Sequence, residues 1–263
     1  MSRIDVLFAR LRRENGKALI VYLTAGFPSL ALLPDLVMAL SDEGVDVIEL
    51  GIPFSDPLAD GPTIQAASQW ALRRGVTPRL VLRAVEGLRK RRVTLPIALM
   101  TYANPVFRYG INRFSRECLT SGADGLIIPD LPPEEGEPLI GSCRPLGINT
   151  IFLAAPTSTL SRLRRIVRAS TGFIYYVSLT GVTGARRSVP PEVGSQVRAI
   201  KRLTTLPVCV GFGISRPAQV REVARVADGA IIGSAFLDAI RGARSCVRAA
   251  VRFIRPLRAA CHA

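Results

Sequence analysis

Eight short, continuously apolar runs separated by amphipathic stretches most narrow what this chain can fold into. They are LIVYLTAG (19–26), DVIELG (46–51), PIALMTY (96–102), DGLIIPD (124–130), INTIFLAA (148–155), FIYYVSLTG (173–181), PVCVGFG (207–213) and DGAIIGS (228–234). A half-exposed strand alternates polar and apolar residues. These runs do not alternate, which is how parallel strands covered on both faces read. Successive runs start mostly 20 to 35 residues apart, with one gap of about 50 after the second. Segments such as SLALLPDLVMALSDEG and RLVLRAVEGLRKRR fill the intervals with helical periodicity. Eight strand–helix units in 263 residues predict an α/β fold, a (β/α)8 barrel forming a single domain over 1–263 with a short N-terminal helix. A doubly wound open sheet competes. It has fewer strands and a glycine fingerprint after the first, whereas here the first run leads into AGFPS.

Composition excludes several classes. No run of about 18 apolar residues exists, so no spanning helix is expected. The N-terminus, MSRIDVLFARLRREN, lacks the apolar core of a signal peptide and reads as an amphipathic helix; Asp5 and Glu14, with Ser2 the one serine, argue against a transit peptide. Five widely spaced cysteines, with no CxxC pair, favour reduced thiols and a cytoplasmic location over a disulfide framework or zinc site. The formal charge of +15 raises nucleic acid as a partner. It comes from three lysines against 32 arginines spread along the chain, with Arg241, Arg244, Arg248, Arg252 and Arg255 predicted as a stripe on one helix face. No aromatic residues interleave with them as in single-strand binders, so the bland reading, arginine on solvated helix faces, is preferred. A non-catalytic RNA-binding barrel is kept as a rival, and it predicts one contiguous basic patch.

In a (β/α)8 barrel, functional groups sit at the C-terminal strand ends. Three late ends are glycine-rich: TGVTG (180–184), GFGIS (211–215) and GS (233–234). Glycines admit a phosphate to backbone N–H groups, and in this fold phosphate often lies beyond strands seven and eight. The bland alternative is three tight turns. The single histidine, His262, is next to last, and Lys17, Lys90 and Lys201 all fall away from strand ends, which disfavours histidine bases, histidine-held metals and Schiff-base chemistry. Carboxylates, tyrosines and hydroxyls remain. Glu49 shares a strand face with Val47; if that face points into the barrel, Glu49 lies at its mouth with a raised pKa suited to proton transfer. Asp60, eleven residues on, can fold back over the same mouth. Alternatives stay open: a salt bridge for Glu49, and a turn cap for Asp60, which precedes glycine.

The string IELGIPFSDPLADGPTIQ resembles the signature of the tryptophan synthase alpha-subunit family, and LTAGFPS, LMTYANPV, IIPDLPPEE, GVTG, GFGIS and IIGSA extend the resemblance nearly end to end. It implies a lyase that cleaves indole-3-glycerol phosphate to indole and glyceraldehyde 3-phosphate, a retro-aldol step without metal or Schiff base. By the same resemblance Glu49 is the acid–base group, Asp60 holds the indole N–H, and Tyr175 lies near the reacting centre. Gly184, Gly213, Gly233 and Ser234 receive the phosphate. Tyr22, Met100, Tyr102, Ile127, Leu153 and Phe212 form an apolar slot, and Thr183 lies in a closing loop and contacts Asp60. The family also implies a beta-subunit partner in an alpha2beta2 assembly, reached through Asp56 and the segment around Pro132 and Pro133. Pyridoxal phosphate belongs to that partner, with no cofactor in this chain. A standalone lyase releasing free indole shares the same chemistry. Tyr22 replaces a commoner phenylalanine, and Leu179 stands where some members carry arginine.

Overall fold

The structure is a computed structural model that describes residues 1–177, 192–211 and 213–261. The apolar runs become nine parallel strands: β1 (Ala18–Thr24), β2 (Val47–Gly51), β3 (Ile97–Met100), β4 (Gly125–Ile127), β5 (Asn149–Ile151), β6 (Leu153–Ala154), β7 (Ile174–Val177), β8 (Val208–Gly211) and β9 (Gly229–Ile232). Their order is β5-β4-β3-β2-β1-β9-β8-β7-β6. The fifth run is therefore two strands and not one. It breaks at Phe152, whose ring packs outward so closely against Gly136 that a Cβ there would lie 2.8 Å from Cζ. The Phe152 carbonyl still accepts the Tyr175 N–H at 3.2 Å. Because β5 pairs with β4 and β6 with β7, the two pieces act as one stave, and the (β/α)8 barrel expected from the sequence is formed. The gap of 50 after the second run holds a loop and two helices, Pro62–Leu72 and Pro78–Lys90.

Alternate residues along each strand face the two sides of the sheet. The inward set, with Ala18, Ile20, Val47, Ala98, Ile127, Ile151, Tyr175, Cys209 and Ile231, forms the barrel interior. The helix Arg3–Arg13 closes its N-terminal end. Ile4, Leu7, Phe8 and Leu11, at helical spacing, insert into that interior, and Phe8 meets Phe173 at 5.8 Å between ring centroids. Burying each such side chain contributes about 1.5–3 kcal/mol. Ser2 caps the helix in a capping box with Asp5, and its hydroxyl donates to Asn149, the first residue of β5.

Three runs begin with aspartate, and these three residues do the same job. Asp46, Asp124 and Asp228 each stand just before a strand and accept the N–H at or beside the start of its neighbour: Leu19, Ile97 and Val208, each at 2.9 Å. Each is also paired with a cation: Arg258 at 2.6 Å, Arg89 at 2.8 Å and Lys201 at 2.8 Å. These carboxylates thus fix register at the barrel's closed end, which leaves the open end for chemistry.

The predicted arginine stripe is shorter than expected. The last helix is Cys246–Cys261, so Arg241 and Arg244 precede it and only Arg248, Arg252 and Arg255 share its exposed face. The residue that ends the preceding helix, Arg241, turns instead toward Asp238 at 3.5 Å. Arg255 binds both oxygens of Glu43, at 3.0 and 2.8 Å. No helix among the described residues is long and apolar enough to cross a membrane.

Candidate active site

The condition set on Glu49 is met, because Val47 lies in the barrel interior. Two residues on, Glu49 faces the same way, flanked in register by Tyr22 of β1 and Ala98 of β3. It is 1 % exposed, its Oε2 has no hydrogen-bond partner among the described residues, and none of their ion pairs includes it. The salt bridge weighed as the alternative is thus not formed among the described residues. Burial, and secondly the charge of Asp60, push its pKa up to about 8.

Asp60 comes over the same mouth on the stiff loop after β2. The loop turns tightly, with the Leu58 N–H bonded to the Asp56 carbonyl at 2.9 Å and the Asp60 N–H to the Pro57 carbonyl at 3.0 Å. Tyr102 straps it down. The hydroxyl accepts the Ala59 N–H at 3.1 Å and hydrogen-bonds the Asp60 carboxylate, while the ring packs on Phe54 at 5.3 Å. The next helix, Pro62–Leu72, has Gly61 at its N-cap and no side-chain cap. Burial raises its pKa to about 6, and the Tyr102 hydrogen bond works against that rise. Two carboxyls with pKa values set apart are thus placed within each other's field.

Tyr22, Tyr102, Ile127 and Tyr175 are buried, and Met100 and Leu153 pack part-exposed against the interior. Tyr175 senses both Glu49 and Asp60, which add to burial in raising its pKa, so its hydroxyl stays protonated. Tyr22 senses both as well, and its hydroxyl accepts from Thr24 Oγ1 at 3.2 Å. Two inward glycines, Gly51 and Gly211, make room for tyrosine rings, a role the sequence reading did not give them. A Cβ on Gly51 would lie 2.2 Å from the Tyr22 hydroxyl, and one on Gly211 would lie 2.6 Å from the Tyr175 hydroxyl. The available signal was glycine inside a strand, which marks close approach.

Gly213, with φ +74°, lies just past β8, and Gly233 and Ser234 directly follow β9. These strands are neighbours, with Val210 opposite Ala230, so the two glycine-rich ends emerge side by side at the same rim. Asp56 is exposed on the loop and is not brought into the slot. Thr183, Gly184, Phe212, Leu179 and His262 lie outside the described residues. Among the described residues no group of three or more histidine, cysteine, aspartate or glutamate side chains could hold a metal ion.

The family model described as tryptophan synthase alpha chain matches residues 8–261. The chain belongs to that family. A tryptophan synthase alpha chain from Roseiflexus castenholzii is 48 % identical over 260 residues, covering 98 % of this chain and 100 % of that one. One from Geotalea uraniireducens is 48 % identical over 237 residues, covering 90 % and 88 %. Among solved structures, tryptophan synthase subunit alpha from Legionella pneumophila superposes with a TM-score of 0.92 at 36 % identity, covering 99 % of this chain and 98 % of that one. A ligand-free tryptophan synthase structure from M. tuberculosis superposes with a TM-score of 0.89 at 36 % identity, covering 99 % of each chain. The family members and this barrel thus share a fold over essentially the whole length, including the strands that carry Glu49 and Tyr175.

Proposed function

We propose that Glu49 and Asp60 carry the reaction of this tryptophan synthase alpha-family lyase, the cleavage of indole-3-glycerol phosphate to indole and glyceraldehyde 3-phosphate. The observation that supports this division of labour most is the ordering of the two carboxyls. At neutral pH a group with a pKa of about 8 holds its proton and one with a pKa of about 6 has lost it. Glu49, protonated, gives its proton to indole C3. The ring becomes an electron sink, and the ionised Asp60 accepts the indole N–H and stabilises the positive charge. The bond from C3 to the first glycerol carbon then breaks, its electron pair restoring the aromatic ring. The hydroxyl on that carbon loses its proton to the Glu49 carboxylate and becomes the aldehyde. Glu49 is thereby reprotonated for the next turnover.

Tyr22, Met100, Tyr102, Ile127, Leu153 and Phe212 would hold the flat ring, with Tyr175 beside the reacting carbon. Gly184, Gly213, Gly233 and Ser234 would bind the phosphate through backbone N–H groups. Thr183, on the segment after β7, would close over Asp60 and exclude water. A beta subunit is the partner we infer, in an alpha2beta2 assembly. Asp56 and Pro132–Pro133 lie on its docking side, and Leu58, 91 % exposed in the same loop, supports that side as a contact surface. Pyridoxal phosphate chemistry belongs to that subunit and not to this chain. The five free cysteines fit a reducing cytoplasm. The direct test is to assay indole release by Glu49→Gln; turnover near the wild-type rate would rule out the assigned role.

A further inference from the structure

One buried polar side chain near the rim is not explained by packing. Gln219 is 3 % exposed, in the third position of the helix Pro217–Ala224. Its Oε1 accepts the Arg216 N–H at 3.0 Å, the ordinary half of a capping box. It goes further than capping requires. The same oxygen accepts the Ser215 N–H at 3.0 Å and the Ser215 hydroxyl at 3.3 Å, and Nε2 donates back to the Gly213 carbonyl at 3.3 Å. One amide thus spans the loop from Gly213 to Arg216. That loop leaves β8 through Gly213, which stands in the left-handed region that favours glycine.

We propose that Gln219 is a positioning residue for the substrate's phosphate: it sets the 213–216 loop in its binding shape before substrate arrives. This rests on the reading that Gly213 receives the phosphate. Gln219 occupies the N–H groups of Ser215 and Arg216, so they neither bind the anion nor compete for it. It also fixes the Gly213 carbonyl, and hence the peptide plane that follows. A loop whose turn is already made loses less conformational entropy when the anion binds. Gln219 touches no substrate in this scheme; it acts only through the loop.

The test uses the full chain and its Gln219→Met variant, which keeps the side-chain length and removes every one of these bonds. Two ligands separate the roles: glycerol 3-phosphate, which carries the phosphate without the ring, and indole, which carries the ring without the phosphate. The expected result is about a tenfold loss of glycerol 3-phosphate affinity, the size of one lost hydrogen bond. Indole affinity stays within about twofold, and the KM for indole-3-glycerol phosphate rises more than kcat falls. Equal loss of both ligands would mark Gln219 as merely structural and overturn the proposal, as would unchanged glycerol 3-phosphate affinity. Should the variant not fold, amide exchange on the ligand-free wild type decides: protection of the Ser215 and Arg216 N–H groups supports the proposal, and exchange at the solvent rate overturns it. Failure of the underlying phosphate reading looks different, because wild type itself would then not bind glycerol 3-phosphate in competition with substrate.

Discussion

Replacing Glu49 with glutamine tests chemistry and electrostatics in one protein, because the two predictions move in opposite directions. Activity should collapse. Glutamine keeps the shape of a protonated carboxyl but can neither give nor take the proton, and removal of a general acid–base group costs about 10²–10⁴-fold in rate. Stability should rise with pH relative to wild type. Glu49 has a folded pKa of about 8 against an ordinary 4.5, so between those values the folded state holds a proton that the unfolded chain has released. Wild-type stability therefore falls as pH rises from 4.5 through 8, by about 1.4 kcal/mol per unit. From 4.5 to 7 that is about 3 kcal/mol, and the full span to 8 gives about 5 kcal/mol. Glutamine does not titrate and escapes this loss. Urea unfolding of both proteins at pH 5, 7 and 9 measures it: the advantage of Glu49→Gln should be smallest at pH 5 and grow by a few kcal/mol. A constant difference across the three pH values would refute the buried, proton-holding carboxyl, whatever the activity shows.

The neighbouring groups give further outcomes. Asp60→Asn should lower the Glu49 pKa, since the Asp60 charge is the second cause of its rise; the carboxyl stretch in infrared difference spectra reports it, and activity should fall as well. Tyr102→Phe removes the hydrogen bond that holds the Asp60 pKa down, so the acidic limb of the activity profile should move to higher pH. Gly51→Ala places a methyl group against the Tyr22 ring, and the overpacking should cost about 1–3 kcal/mol in denaturant unfolding and raise KM. At the closed end, Asp124→Ala strands the largely buried Arg89 and should cost about 3–5 kcal/mol in the same measurement, while kcat stays near wild type in protein that remains folded.

Much of the barrel was legible because its strands are covered on both faces. That makes each run continuously apolar, and the count of runs follows directly. The break at Phe152 was not legible: INTIFLAA is unbroken as a pattern, and the division shows only in the pairing, which passes from β4 before Phe152 to β7 after it. The arginine stripe was overextended for a related reason, since spacing alone does not show that Arg241 ends one helix and Arg244 falls between two. In the slot, Glu49 was visible as a carboxylate where valine belongs, but its two alternatives separated only when its surroundings were known. Tyr102 was expected only as a slot wall. Its strap on Ala59 and Asp60 joins residues 43 apart in the chain, a contact no local pattern carries. Gln219 escaped notice because glutamine three residues after a helix start is common capping chemistry.

The two ends of the barrel use the same residue type in opposite ways. At the closed end Asp46, Asp124 and Asp228 are each satisfied by a strand N–H and a cation. At the open end Glu49 has no cation within reach among the described residues, and Asp60 has a phenol in place of a guanidinium. Supplying Glu49 with an arginine, in a chain that holds 32 of them, would lower its pKa and remove the proton the reaction needs. The cost of a buried, unpaired carboxyl is therefore tied to its use. Fixed register at the closed end, with a rigid β2 running up from Asp46, is what lets the open end carry that cost without the strand yielding.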